Sequence, residues 1–187
     1  MKALAALLIL ALAGCQTAPP PFNPKDAVRV IEFDAASRSC SATYVGPSTL
    51  LTASHCFRAG DKLVSINGTI AGIVHIEHDG ADHALVKVTT PAPVWAEVGP
   101  ELRQGEDFEF FGNPLDMRDQ YRRGYVTGVK ADKVMLDARL WLGDSGAGLF
   151  RNGRVVGVVS GVYGHQIFYF GYAHRLVFTP EQWEAAR

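Results

Sequence analysis

The sequence predicts an all-β chain of about a dozen short strands with one short helix at its C-terminus. Three observations carry that prediction. Short apolar runs rich in Val, Ile, Tyr and Phe recur along the chain, and turn residues separate them. No stretch shows a clean helical period before "TPEQWEAAR" at the end. Nineteen Gly and ten Pro supply the many turns that such short strands need. A dozen strands are too many for one small barrel and fit two antiparallel barrels or a sandwich.

The N-terminus comes first. "MKALAALLILALAGC" has one Lys and then an apolar run from Ala3 to Ala13. That run is too short to span a bilayer and has the length of a signal-peptide core. Leu12-Ala13-Gly14-Cys15 resembles the bacterial lipobox, which implies a lipoprotein signal peptide over residues 1–14 and lipid on Cys15. An ordinary secretory signal, with Cys15 incidental, is the alternative. Gln16, in place of Asp, favours the outer membrane by the same resemblance. "QTAPPPFNPK" carries Pro19, Pro20, Pro21 and Pro24, so residues 15–25 read as an extended, semi-rigid spacer. The folded domain is expected over residues 26–187.

The strand candidates follow in order: "AVRVIEF", "SATYV", "TLLTAS", "KLVSI", "TIAGIVHI", "HALVKV", "FEFF", "RGYVTGV", "KVMLDA", "AGLF" and "RVVGVVSGVYG". Asn67-Gly68 and Asn152-Gly153 stand between such runs, and Asn-Gly is the strongest short hairpin signal. Pro91, Pro93, Gly99 and Pro100 break the pattern, which divides the domain at about residue 100, into 26–100 and 101–187. In the last segment Thr179 is an N-cap, Pro180 takes the first helical position, and Gln182 completes a capping box.

Charge and cysteines bound the partners. The net charge of −1 leaves no electrostatic footprint for nucleic acid. The cysteines are Cys15, Cys40 and Cys56. With Cys15 lipidated, an even pair remains in an oxidising compartment, where a Cys40–Cys56 disulfide is expected and two buried thiols are the alternative.

The chemistry concentrates in three places. "LLTASHCF" sets His55 beside Cys56 after an apolar strand. "GADHALVKV" sets Asp82 at the entrance of another strand. "GDSGAG" sets Ser145 between glycines, and Gly143 stands two residues before it. In this order, with the Cys pair in its usual place, these motifs resemble the chymotrypsin/trypsin superfamily of serine proteases across about residues 27–185. "FFGNP" followed by "RRGYVTGV" is closer to compact bacterial members. The resemblance implies two six-stranded antiparallel barrels and a peptide-hydrolysing site. Ser145 would be the nucleophile, His55 the general base and Asp82 its orienting acid. The Gly143 and Ser145 N–H groups would form the oxyanion hole. Ser160, Gly161 and Val162 in "VVSGVYG" would pair with an extended substrate.

Other residues have simpler readings. Asp79 precedes Gly80 and reads as a turn former. His75 and His78 lie three apart on a strand and face opposite sides, which argues against a shared metal. His83, His165 and His174 have no convincing partner set. No metal or cofactor is expected.

The pattern also departs from the superfamily. Arg139 occupies the position, six before Ser145, where trypsin-type enzymes place an Asp for basic side chains, so cleavage after Lys or Arg is not expected. Arg139 either attracts an acidic side chain or points outward. Phe168, Tyr169 and Phe170 fall where the far wall of the pocket should be and either narrow or shut it. Asp144 has no liberated N-terminus to pair with, so activity without zymogen-type cleavage is expected. The implied protein is an exported, monomeric, membrane-anchored peptidase acting on polypeptides. A catalytically silent binding module on the same fold, or a structural envelope lipoprotein, are the competing readings.

Overall fold

Alternation along each strand sorts the side chains into three cores, and those cores define the architecture. The structure is a computed structural model that describes residues 22–33, 38–165 and 168–187. The signal-peptide segment, Cys15 and most of the spacer lie outside the described residues.

Six strands close the first barrel: β1 (Val28–Phe33), β2 (Arg38–Gly46), β3 (Thr49–Ala53), β4 (Leu63–Ile66), β5 (Thr69–His78) and β6 (His83–Val88). Six more close the second: β7 (Asp107–Gly112), β8 (Gln120–Lys130), β9 (Lys133–Asp137), β10 (Gly148–Arg151), β11 (Arg154–His165) and β12 (Phe168–His174). Every ladder within the barrels is antiparallel. The helix α1 (Pro180–Ala185) ends the chain, with both hydrogen bonds of the Thr179–Gln182 capping box in place. Both Asn-Gly steps turn tight hairpins with positive φ at each residue, joining β4 to β5 and β10 to β11.

The fold is therefore two six-stranded antiparallel barrels with one small helix. A single strand, β12, escapes the sequence pattern. No turn signal separates it from β11, so "HQIFYFGYAH" reads as one aromatic run.

β2 shows how the barrels are joined. Cys40, Ala42 and Tyr44 point into the first barrel's core, with Ile31, Leu50 and Val86. The intervening Ser41 and Thr43 are fully buried as well, because their face meets the second barrel. The Thr43 hydroxyl accepts from Gly148 N–H at 3.0 Å, and Ser41 N–H donates to the Ser145 carbonyl at 2.7 Å. A second seam is apolar. Val28, Leu51 and Leu85 of the first barrel pack with Phe150, Val155 and Val158 of the second. Burying such side chains contributes roughly 1.5–3 kcal/mol each, and here that term favours one relative placement of the barrels.

Candidate active site

β3 ends at Ala53, and the chain turns through a single 3-10 turn, Ser54–Cys56. A disulfide from Cys56 to Cys40, with Cα atoms 6.3 Å apart, pins that turn to β2. His55 stands on it with 48% of its side chain exposed. Asp82 lies one residue before β6. Its backbone carbonyl accepts from Ser54 N–H at 2.8 Å, which aligns the two loops. His55 Nδ1 then lies 3.0 Å from both Asp82 carboxylate oxygens, and His55 N–H donates to Oδ1 at 3.2 Å. Burial raises the Asp82 pKa, but the hydrogen bond and charge of His55, with His83 behind, hold it below the usual carboxylate value. An ionised Asp82 accepts a hydrogen bond from His55 Nδ1–H, and that tautomer leaves His55 Nε2 as an acceptor.

The loop carrying Ser145 is shaped by two glycines. Gly143 has φ +99 and Gly146 has φ +87, conformations that side chains strain against. A Cβ on Gly146 would lie 2.0 Å from the Ser41 carbonyl oxygen and 2.2 Å from Thr52 Oγ1. A Cβ on Gly143 would lie 2.4 Å from the Asn113 carbonyl oxygen, so this glycine is needed for the neighbouring loop. The Leu142 carbonyl accepts from Leu115 N–H at 2.9 Å. In a trans peptide the next N–H points the opposite way, so Gly143 N–H is turned from that loop. The Gly143 carbonyl is held in turn by the Ser41 hydroxyl at 2.9 Å. Among the described residues Ser145 Oγ and the His55 ring are not in hydrogen-bond geometry. Such contacts are often long in free enzymes and tighten with substrate.

Asp144, for which the sequence offers no liberated N-terminus, is paired by a guanidinium of the fold instead. Arg122 on β8 clasps its carboxylate with both terminal nitrogens, and Trp141 N–H adds a third bond at 2.8 Å. Asp144 is almost fully buried and the Arg122 side chain is 18% exposed, so the pair is shielded from water. Gly112 makes room, since a Cβ there would strike both partners. Strand alternation turns Arg122 inward and Arg123 out toward Asp107, but nothing in "RRG" says which Arg faces which way.

Beside Ser145 opens a cavity of about 630 Å³, walled by Leu140, Trp141, Leu142, Val159, Gly161 and Val162. Leu140 packs directly against Gly171 in its lining, so that a Cβ on Gly171 would sit 2.5 Å from Leu140 Cδ1. Arg139 also lines the cavity and is exposed, and its carbonyl accepts from Arg122 at 3.0 Å. β10 pairs with β11 only as far as Val158. Beyond it, Gly161 and Val162 are paired on one side by β12 and line the cavity on the other. Ser160 is buried, with its hydroxyl unpartnered among the described residues. Phe170 is exposed and does not line the cavity. The side chains of Phe168, Tyr169 and His165 lie outside the described residues.

Of the histidines with no convincing partner set in the sequence, His83 has a partner: its Nδ1 meets Asp79 at 2.6 Å. His174 Nδ1 lies 3.2 Å from an Asp132 oxygen but makes no hydrogen bond among the described residues. His78 shares a 2.6 Å hydrogen bond with the Ser54 hydroxyl, and His75 one of 2.6 Å with Glu77. No cluster of three or more metal-ligating side chains occurs among the described residues. No helix among them is long and apolar enough to cross a membrane.

Twin closed barrels of this kind define the chymotrypsin-like class of proteins. Within that class the chain belongs to the trypsin-like peptidase domain family, whose family model matches residues 40–158. Solved structures agree on the fold. An inactive form of Rv3671c from M. tuberculosis superposes with a TM-score of 0.72 at 18% identity, covering 87% of each chain. A Glu endopeptidase gives 0.69 at 17% identity, over 91% of this chain and 93% of that one. The serine endoprotease from Yersinia pestis gives 0.64 at 18% identity, over 84% of this chain and 63% of that one. At these identities the likeness shows the fold alone. No curated protein matches the sequence.

Proposed function

We propose that the chain is an exported, lipid-anchored serine endopeptidase that cleaves polypeptides through an acyl-enzyme. The observation that carries this reading is the His55–Asp82 pair, set at the seam where the second barrel presents Ser145 beside an open cavity. Ser145 Oγ attacks the scissile carbonyl and its proton passes to His55 Nε2. Asp82 stabilises the imidazolium so formed. Gly143 and Ser145 N–H groups receive the oxyanion, a contribution of about 3 kcal/mol per donor. His55 returns the proton to the leaving amine, and water then repeats the sequence to release the acid and regenerate the hydroxyl.

The Asp144–Arg122 clasp supports activity without N-terminal processing, because a guanidinium from within the fold already neutralises the carboxylate behind Ser145. Gly161 and Val162 offer a strand edge for an extended substrate. The lipobox-like Cys15 supports anchoring, with the Pro-rich spacer between lipid and barrel.

A fluorophosphonate probe tests the chemistry. Wild type labels, Ser145→Ala does not, and His55→Ala labels far more slowly. Folded wild type that stays unlabelled overturns the enzyme reading in favour of a binding module. Anchoring is checked separately: Cys15→Ser moves the protein from the membrane to the soluble fraction, and unchanged membrane association refutes the lipid.

A further inference from the structure

The 78–83 turn holds more order than its role as a connector requires. The Asp79 side chain is fully buried and accepts from four donors. Ala81 N–H lies at 2.9 Å and His83 N–H at 3.1 Å, so the carboxylate grips the backbone on both sides of Asp82. His83 Nδ1 donates at 2.6 Å, and Val177 N–H reaches across from the segment after β12 at 3.3 Å. Gln182 of α1 adds a bond to the His78 carbonyl at 2.9 Å. His83 is also fully buried, between the rings of His174 and Phe178, and its Nε2 has no partner among the described residues. Leaving a buried imidazole nitrogen unpaired carries a desolvation penalty that an apolar side chain in the same space would avoid.

We infer that Asp79 and His83 form a positioning pair that fixes the backbone of Asp82 and so aims the Asp82 carboxylate at His55, with the second barrel's C-terminal segment as the outside brace. The inference rests on the proposed serine-peptidase reading of His55, Asp82 and Ser145. His83 is needed for its Nδ1 donor, which fills the Asp79 bond left over once Ala81, His83 and Val177 N–H groups are placed. Asp79 is needed as a carboxylate because all four of its partners are donors. Neither residue touches the substrate cavity, so they act on turnover through Asp82 and not on binding.

The test compares His83→Leu, His83→Asn and Asp79→Asn. Leu fills the space without a donor. The Asn amide replaces the Nδ1 donor in nearly the same place. Turnover of a peptide ester and the downfield proton resonance of the His55–Asp82 bond are measured on each, with near-UV circular dichroism as the check of folding. His83→Leu and Asp79→Asn are expected to lower kcat about ten- to a hundredfold, the range for a displaced catalytic group, with KM nearly unchanged. Both shift or broaden the resonance, and His83→Asn restores rate and resonance toward wild type. Thr49→Val, which removes a buried hydrogen bond to Ala186 elsewhere, lowers stability without moving the resonance. A His83→Leu protein with wild-type kcat and resonance overturns the inference, as does a His83→Asn protein as impaired as His83→Leu. Should Asp79→Asn not fold, the His83 pair of variants decides. A wild type inert to probe and ester refutes the peptidase reading, and the resonance still reports whether Asp79 and His83 set the His55–Asp82 geometry.

Discussion

Two aspartate–histidine pairs share one turn of this molecule. In the His55–Asp82 pair the imidazole is half exposed at the seam between barrels. In the Asp79–His83 pair both side chains are sealed from water. Burial is the largest single influence on both Asp79 and Asp82 and pushes their pKa values up, but the hydrogen bonds and histidine charges together hold both below the usual carboxylate value. The chemistry of the pairs is the same and their surroundings differ. An imidazole with one free nitrogen at a cleft can exchange protons with a substrate, whereas one enclosed by His174 and Phe178 can only hold its neighbours in place. Under the proposed peptidase function, solvent access, more than residue type, separates the working pair from the framework pair.

The pairs can be told apart by asparagine. Asp82→Asn is expected to cost about four orders of magnitude in kcat by presenting the wrong tautomer of His55. Asp79→Asn stays within the ten- to hundredfold range given above. Equal losses measured by steady-state kinetics would erase the distinction. Breaking the buried Arg122–Asp144 clasp with Arg122→Ala should cost about 3–5 kcal/mol in urea unfolding, because it strands a buried carboxylate. A loss below about 1 kcal/mol would show the Ser145 loop to be held by other contacts.

Reducing Cys40–Cys56 removes a constraint of roughly 3 kcal/mol and frees the His55 turn from β2. Calorimetry with and without reductant measures it. An unchanged Tm would contradict the bridge.

Acid adds a sign to the comparison. Asp79 and Asp82 have folded pKa values lowered relative to the unfolded chain. Their contribution is complete above the unfolded carboxylate pKa of about 4 and is lost as pH falls through the folded values. Asp79→Asn should therefore flatten the fall in stability below about pH 4, as read from denaturant midpoints at several pH values. The smallest effect is expected at α1. Thr179→Ala removes one capping hydrogen bond, worth about 1 kcal/mol, and should lower Tm by about 2–4 °C.

Strand content, both Asn-Gly hairpins, the terminal helix and its cap were legible because each depends on neighbours a few residues apart. So were His55, Asp82 and Ser145 as candidates, since each sits in a short motif of its own. Arg122 was not legible. Its inward orientation follows from the register of β8 against β7, which pairs Arg122 with Phe110 and brings it over Asp144 across 22 positions. Asp79 looked like a turn residue, and its bond to Ala81 N–H is that of a turn. What the local pattern lacked was Val177, 98 positions away, whose N–H brings the second barrel to the same carboxylate.

By itself the sequence determined an all-β chain, its punctuation and which side chains carry reactive groups, because alternation, turn dihedrals and capping are short-range effects. Only the tertiary structure decided which polar residues are buried and paired: Ser41 and Thr43 under the serine loop, Arg122 on Asp144, His83 on Asp79. Those pairings depend on how two closed barrels meet, and that is set by apolar surface distributed over the whole chain.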